Sequence, residues 1–295
     1  MSLISRLLPR HQGGGNGLAF EDKTLFIGIG PTKTGTTSIY RYLAGHPEFY
    51  ASPIKEMQFF SALYQEGNRE KFDERARRLI AKLSEDPEHA EAAATKIRLA
   101  TLAERLRMTD EPERYIGLFR DNMGDVHRAF GELSPSYSGL TQEGFAFMRR
   151  QHPKVKLLVT LRDPLSRLDA VLRHIWNVGR QIPYETFFGE RLEGHLRVQN
   201  FHYDRILERV FSAFDEEDVL VLFFEEMFTQ PSFDRLTDFI GISRREAELG
   251  RKLGHSPPAH RISKENEARA AELLAPVYRY CRERFGSRVP ESWAL

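Results

Sequence analysis

The sequence predicts an α/β fold: a P-loop-like parallel sheet flanked by helices, with a helical insertion. Three observations predict it. Apolar runs of strand length alternate with segments of helical period along most of the 295 residues. The first unit, Leu25 to Ser38, passes from an apolar run through glycines straight into a helical pattern. A stretch at about 66–110, rich in Ala, Glu, Arg and Lys, interrupts the alternation.

Taken in order, Lys23–Gly30 reads as a buried parallel strand feeding a helix at 36–45, which Gly45-His46-Pro47 ends. Phe49–Ser52 reads as a short strand. Residues 66–110 read as two helices divided at Asp86-Pro87. Their apolar faces carry Leu79, Ile80 and Leu83, then Ile97, Leu99, Leu102 and Leu106. They read either as scaffold or as a cap over a substrate pocket. Arg128–Leu133 is the next strand, 141–151 a helix, and Val155–Leu161 the strongest strand of the chain. A helix follows to about Val178, with Asp163 as its cap and Pro164 in its first turn. Then come a helix at 197–213, a strand at Val219–Phe224, a helix at Pro231–Ile240 stopped by Gly241, and a long helix at about 264–285. Residues 1–22 read as a flexible lead-in, and 23–295 as a single domain.

Composition narrows the function classes. Lys+Arg 43 against Asp+Glu 42 leaves almost no net charge, so bulk attraction to nucleic acid is not expected. One cysteine, Cys281, rules out an internal disulfide framework and suits a reducing compartment, so a cytoplasmic location is expected. No apolar run approaches the roughly 18 residues of a membrane span. The oligomeric state is not legible.

The loop is irregular in an informative way. Strand, glycine loop and helix together cradle an anion, because free N–H groups at a helix N-terminus point at it. Gly30 and Gly35 have the spacing of a nucleotide-triphosphatase loop, yet Thr36 stands where that loop has its lysine. The lysine is instead Lys33, inside the loop. In such sheets ligands bind beyond the carboxyl ends of the strands, and Lys33, Ser134 and Arg162 all lie just past predicted strand ends.

Five motifs then read together: Lys33-Thr34-Gly35-Thr36-Thr37, His46-Pro47, Glu56 before Phe59-Phe60, Ser134-Pro135-Ser136-Tyr137, and Arg162-Asp163-Pro164. In these the chain resembles the sulfotransferases that use 3′-phosphoadenosine 5′-phosphosulfate (PAPS). It looks most like the branch with heparan-sulfate-type and bacterial carbohydrate enzymes. The stretch VLVLFFEEMFTQPSFDRLTDFIGI resembles the family's later strand, glutamate and helix. The resemblance covers about 24–64 and 112–285 and leaves out the 66–110 excursion.

This resemblance implies transfer of a sulfuryl group from PAPS to an acceptor hydroxyl, on a carbohydrate or glycolipid, leaving adenosine 3′,5′-bisphosphate. Lys33 would meet the leaving phosphate and Glu56 would take the acceptor proton. Lys33, Thr34, Gly35, Thr36, Thr37 and Ser38 would hold the 5′-phosphate. Arg162 would hold the 3′-phosphate, in the bidentate manner guanidinium allows. Lys55, Ser134 and Tyr137 are expected on the acceptor side, and no metal is expected. Two positions depart from the family. Ala170 stands where a serine usually contacts the 3′-phosphate, and Ser166, one turn earlier on the same helix face, is the expected substitute. Leu133 stands where many glycosaminoglycan enzymes have a lysine. Lys252 and His255 in RKLGHS resemble a basic lid only loosely, and His174 and His202 read as helix-surface or packed residues. The rival readings are a P-loop kinase or other NTPase, and a non-catalytic nucleotide-binding protein on the same fold.

Overall fold

A computed structural model describes residues 18–65, 67–85, 91–177, 188, 192–198, 200–248 and 263–293. The divider at Asp86-Pro87, the Lys252 and His255 stretch and most of the lead-in lie outside these residues. The last part of the lead-in, Phe20–Asp22, is a 3-10 turn whose Phe20 ring stacks on Phe130 at 5.1 Å.

Five parallel strands form the sheet: β1 (Thr24–Gly28), β2 (Phe49–Ala51), β3 (Ala129–Leu133), β4 (Val155–Leu161) and β5 (Val219–Phe223), in the order β2-β3-β1-β4-β5. The order places β1 between β3 and β4. The segments that leave these three strands therefore emerge side by side, which is what brings the Lys33 loop, Ser134 and Arg162 to one edge.

Alternation along the strands builds a core on each face. Leu25 and Ile27 of β1 and Leu157, Val159 and Leu161 of β4 join one cluster, while Phe26 and Leu158 join the other. The smaller cluster is covered by α1 (Thr36–Ala44), through Ile39 and Leu43. The larger is covered by α2 (Phe59–Tyr64), α3 (Arg69–Ser84), α4 (Ala93–Met108), α5 (Arg114–Arg120), α6 (Gln142–Arg149) and α7 (Pro164–Asn177). Further along the chain lie α8 (Leu192–Val198), α9 (Tyr203–Phe211), α10 (Gln230–Ile240) and α11 (Lys264–Phe285). The fold is thus a P-loop-like parallel sheet between helices, with α3 and α4 as its helical insertion. Among the described residues, no helix is long and apolar enough to cross a membrane.

One expectation is corrected. The helix read at 197–213 is two helices, because Asn200 takes a left-handed conformation (φ 55°) and the chain turns there. The carbonyl this turn exposes accepts from Arg167 Nη1 at 3.1 Å. A helix not foreseen from sequence, α5, follows the insertion. Its run YIGLF has no visible period, yet Tyr115, Ile116, Leu118 and Phe119 are all buried.

Candidate active site

The anion loop is built by close approach. A Cβ on Gly30 would lie 1.9 Å from Thr160 Oγ1, so only glycine lets the loop cross β4 here. Beyond it, Lys33 (φ 68°) and Gly35 (φ 84°) both adopt left-handed conformations. For a lysine that conformation costs roughly 1–2 kcal/mol. Strain of this kind, held in place by its surroundings, accompanies functional loops. α1 then starts at Thr36 with no side-chain cap on its first turn and no acidic residue in it. An uncapped, acid-free helix N-terminus leaves its N–H groups and dipole for an anion.

Not every hydroxyl of the loop faces outward. Thr34 is fully buried, its Oγ1 donating to the Pro31 carbonyl at 2.6 Å and meeting Thr160 Oγ1 at 2.6 Å. Its hydroxyl braces the loop and has no line to a ligand. Thr36 is buried, Thr37 exposed and Ser38 half-buried.

Four cations share the site. Burial, then the charges of Arg162, Arg173 and Lys55, hold the Lys33 ammonium below the ordinary lysine range. Arg162 Nη1 donates to the Lys33 carbonyl at 3.1 Å, and its guanidinium lies 4.2 Å over the Phe224 ring. Its Nε is buried with no hydrogen-bond partner among the described residues. Burial, with Arg173 adding to it, pushes Arg162 down despite the opposing charge of Glu225. Such a cluster is costly without an anion, and an orphaned guanidinium N–H is what a phosphate oxygen would satisfy.

Glu56 sits at the rim, about a quarter exposed, 3.0 Å from Lys55 Nζ and 3.5 Å from Arg75 Nη2 on α3. His174 is exposed on α7 and held below the ordinary imidazole range, first by desolvation and then by Lys33, while Glu56 opposes the shift. That coupling ties the glutamate and the loop lysine to one neighbourhood.

The turn after Glu56 is clamped from both sides. Met57 N–H donates to Glu132 Oε2 at 2.9 Å, Gln58 N–H to Ser134 Oγ at 3.1 Å, and Phe59 N–H to the Tyr137 hydroxyl at 3.0 Å. Ser134 Oγ and Tyr137 OH in turn donate to Glu132, at 2.6 and 2.5 Å. Glu132 is wholly buried, and burial pushes its carboxyl up to about 7 against the pull of these donors. On the other side Arg105 of α4, itself buried, donates from Nε to the Met57 carbonyl at 2.9 Å and from Nη2 to the Gln58 carbonyl at 3.4 Å. It also pairs with Asp73 of α3. Gln58 holds φ 55° within this clamp.

Ser134 and Tyr137 were expected on the acceptor side. Both are fully buried, and their hydroxyls are taken up by Glu132 and by the backbone of the turn after Glu56 rather than turned toward a ligand. Glu132 and Arg105 escaped the sequence reading. The signal for Glu132 was a lone acid in the apolar run AFGELS; Arg105 carried none.

A second layer fixes Arg162. Asp163 Oδ1 accepts from Ser166 N–H at 2.7 Å, the helix cap expected from sequence, and Oδ2 accepts from Tyr278 OH at 2.6 Å. Glu225 joins the Asp163 N–H (2.9 Å) to Trp293 Nε1 (3.0 Å). Arg167, wholly buried, reaches the Thr32 carbonyl from Nε at 2.9 Å and so supports the anion loop from beneath. Ser166 itself is exposed. Among the described residues, no group of three His, Cys, Asp or Glu is placed to hold a metal ion.

The sequence model described as the sulfotransferase family matches residues 25–246. The chain belongs to the sulfotransferase family. Solved structures of sulfotransferases share its fold. One from Alicyclobacillus acidocaldarius superposes with a TM-score of 0.61 at 20% identity, over 94% of this chain and 99% of the other. The sulfotransferase domain of the Synechococcus PCC 7002 olefin synthase gives 0.50 at 15%, over 88% and 98%. No curated protein sequence matches this sulfotransferase.

Proposed function

We propose that this sulfotransferase moves the sulfuryl group of PAPS to an acceptor hydroxyl on a carbohydrate or glycolipid, with residues 23–295 acting as one catalytic unit. The observation that carries the reading is the meeting of an uncapped helix N-terminus with four cations, one of which, Arg162, has a buried Nε without a partner among the described residues. These groups fit a donor bearing two phosphates. The Gly35–Ser38 turn would hold the 5′-phosphate, and Arg162 the 3′-phosphate. Bound there, the donor supplies an activated sulfuryl group.

The chain's own residues do the rest by positioning and charge. Glu56 takes the proton from the acceptor hydroxyl as its oxygen bonds to sulfur. Lys33 stabilises the negative charge on the bridging oxygen of the leaving phosphate. Lys55 and Arg75 orient the Glu56 carboxylate. The single cysteine, Cys281, is buried, in keeping with a reducing compartment. Thr36 in place of a loop lysine argues against a triphosphate substrate.

Thermal shift tests the donor. Stabilisation by adenosine 3′,5′-bisphosphate without Mg²⁺ supports it, and stabilisation by ATP–Mg²⁺ alone refutes it.

A further inference from the structure

Ala170 of α7 stands where the family resemblance leads to a serine, and the residue one turn further along the same row is Arg173. Ser166, Ala170 and Arg173 follow one another at i, i+4 and i+7, so their side chains form one row. Ser166 is exposed and Ala170 carries no donor, whereas Arg173 is mostly covered. Asp169 holds one end of the Arg173 guanidinium, with Nη2 to Oδ2 at 2.7 Å. Its Nε is buried and has no hydrogen-bond partner among the described residues, the same condition as Arg162 Nε. Two guanidiniums whose charges act on one another therefore each carry a desolvated N–H unanswered among the described residues.

We infer that Arg173 is a second guanidinium for the donor's 3′-phosphate, and that it compensates for the missing hydroxyl at Ala170. The inference rests on PAPS being the donor. Burial and mutual repulsion support it, since Arg173 lowers both Arg162 and Lys33. A dianionic phosphate relieves that repulsion and satisfies both orphaned donors, and a charge-assisted bond of this kind is worth about 1.5–3 kcal/mol. The Asp169 ion pair restrains the Arg173 side chain, so that less reordering is needed when the anion arrives.

Calorimetric titration with adenosine 3′,5′-bisphosphate and with adenosine 5′-monophosphate isolates the 3′-phosphate, because the two ligands differ there alone. Arg173→Gln is expected to weaken binding of the bisphosphate by about 10–100-fold, the fold-change of such bonds. Binding of the monophosphate should change by no more than about 2-fold. Adding Ala170→Ser to Arg173→Gln should recover part of the lost preference, which a variant that had merely misfolded would not do. Equal losses for both ligands, or no loss for either, would overturn the inference while leaving the donor assignment intact. A wild-type protein that binds the two ligands equally would overturn the donor's 3′-phosphate site and the inference with it.

Discussion

Arg105 Nε donates to the Met57 carbonyl at 2.9 Å, and in doing so ties the helical insertion to the residue that follows Glu56. None of the five motifs lies in the insertion, although the family match at 25–246 spans it, and its two helices reach the stretch of the candidate base twice. Arg105 grips the backbone, and Arg75 approaches the carboxylate at 3.5 Å. The clamp predicts a division of labour between fold and site.

Arg105→Ala takes from buried Asp73 its near partner and leaves it the more distant Arg69, at 3.9 Å, and breaking such a pair costs up to about 3–5 kcal/mol of stability by urea denaturation. Arg105→Lys keeps the charge but not the fork. It should fold, hold donor affinity and lose turnover. Unchanged turnover in the lysine variant would show that the clamp serves stability alone.

Glu132 predicts a pH dependence of stability. Its carboxyl is raised to about 7 in the fold from an ordinary 4.5, so the folded chain keeps a proton that the unfolded chain has released. The stabilisation is complete below the unfolded value and is lost as pH rises through the folded one. Across that window the wild type should lose on the order of 3 kcal/mol relative to Glu132→Gln, as an upper bound. Denaturation series for the two proteins that run parallel in pH would contradict the shift.

Thr34→Val removes the hydroxyl that links Pro31 to Thr160. It should cost about 1–3 kcal/mol of stability, because both partners stay buried. Affinity for adenosine 3′,5′-bisphosphate should stay nearly constant at saturating fold. A large loss of affinity with no loss of stability would return the Thr34 hydroxyl to the ligand.

The contrast between Thr34 and Lys33 shows where sequence reading stops. The loop, its helix and the strand ends behind Lys33 and Arg162 were legible, because glycine spacing and apolar runs are local signals. The motif Ser134-Pro135-Ser136-Tyr137 was legible as a motif, but a serine that answers a buried carboxylate looks the same in sequence as one that answers a substrate. Glu132 decides between them, and its burial is a property of the sheet. Arg105 and Arg167 were hidden for a related reason. Each is an arginine on a helix among other charges, and only packing reveals which one points inward. The break at Asn200 depends on a carbonyl contact with Arg167, across 33 residues of chain.

Lys33 predicts proton uptake. Burial and three neighbouring cations lower its ammonium, and a bound anion opposes both effects. Titration with adenosine 3′,5′-bisphosphate in mildly alkaline buffers of different ionisation heat should therefore register protons taken up on binding. Lys33→Met should abolish the uptake. Uptake that persists in this variant would move the titrating group elsewhere.

Sulfuryl transfer itself is the most direct test. Wild-type protein, labelled PAPS and a panel of hydroxyl-bearing acceptors should release adenosine 3′,5′-bisphosphate in step with a sulfated product. Glu56→Ala should lower that rate by roughly 10²–10⁴ with donor affinity retained, and Lys33→Ala should lower it as well. Wild-type rates in both variants would contradict the roles assigned to Glu56 and Lys33.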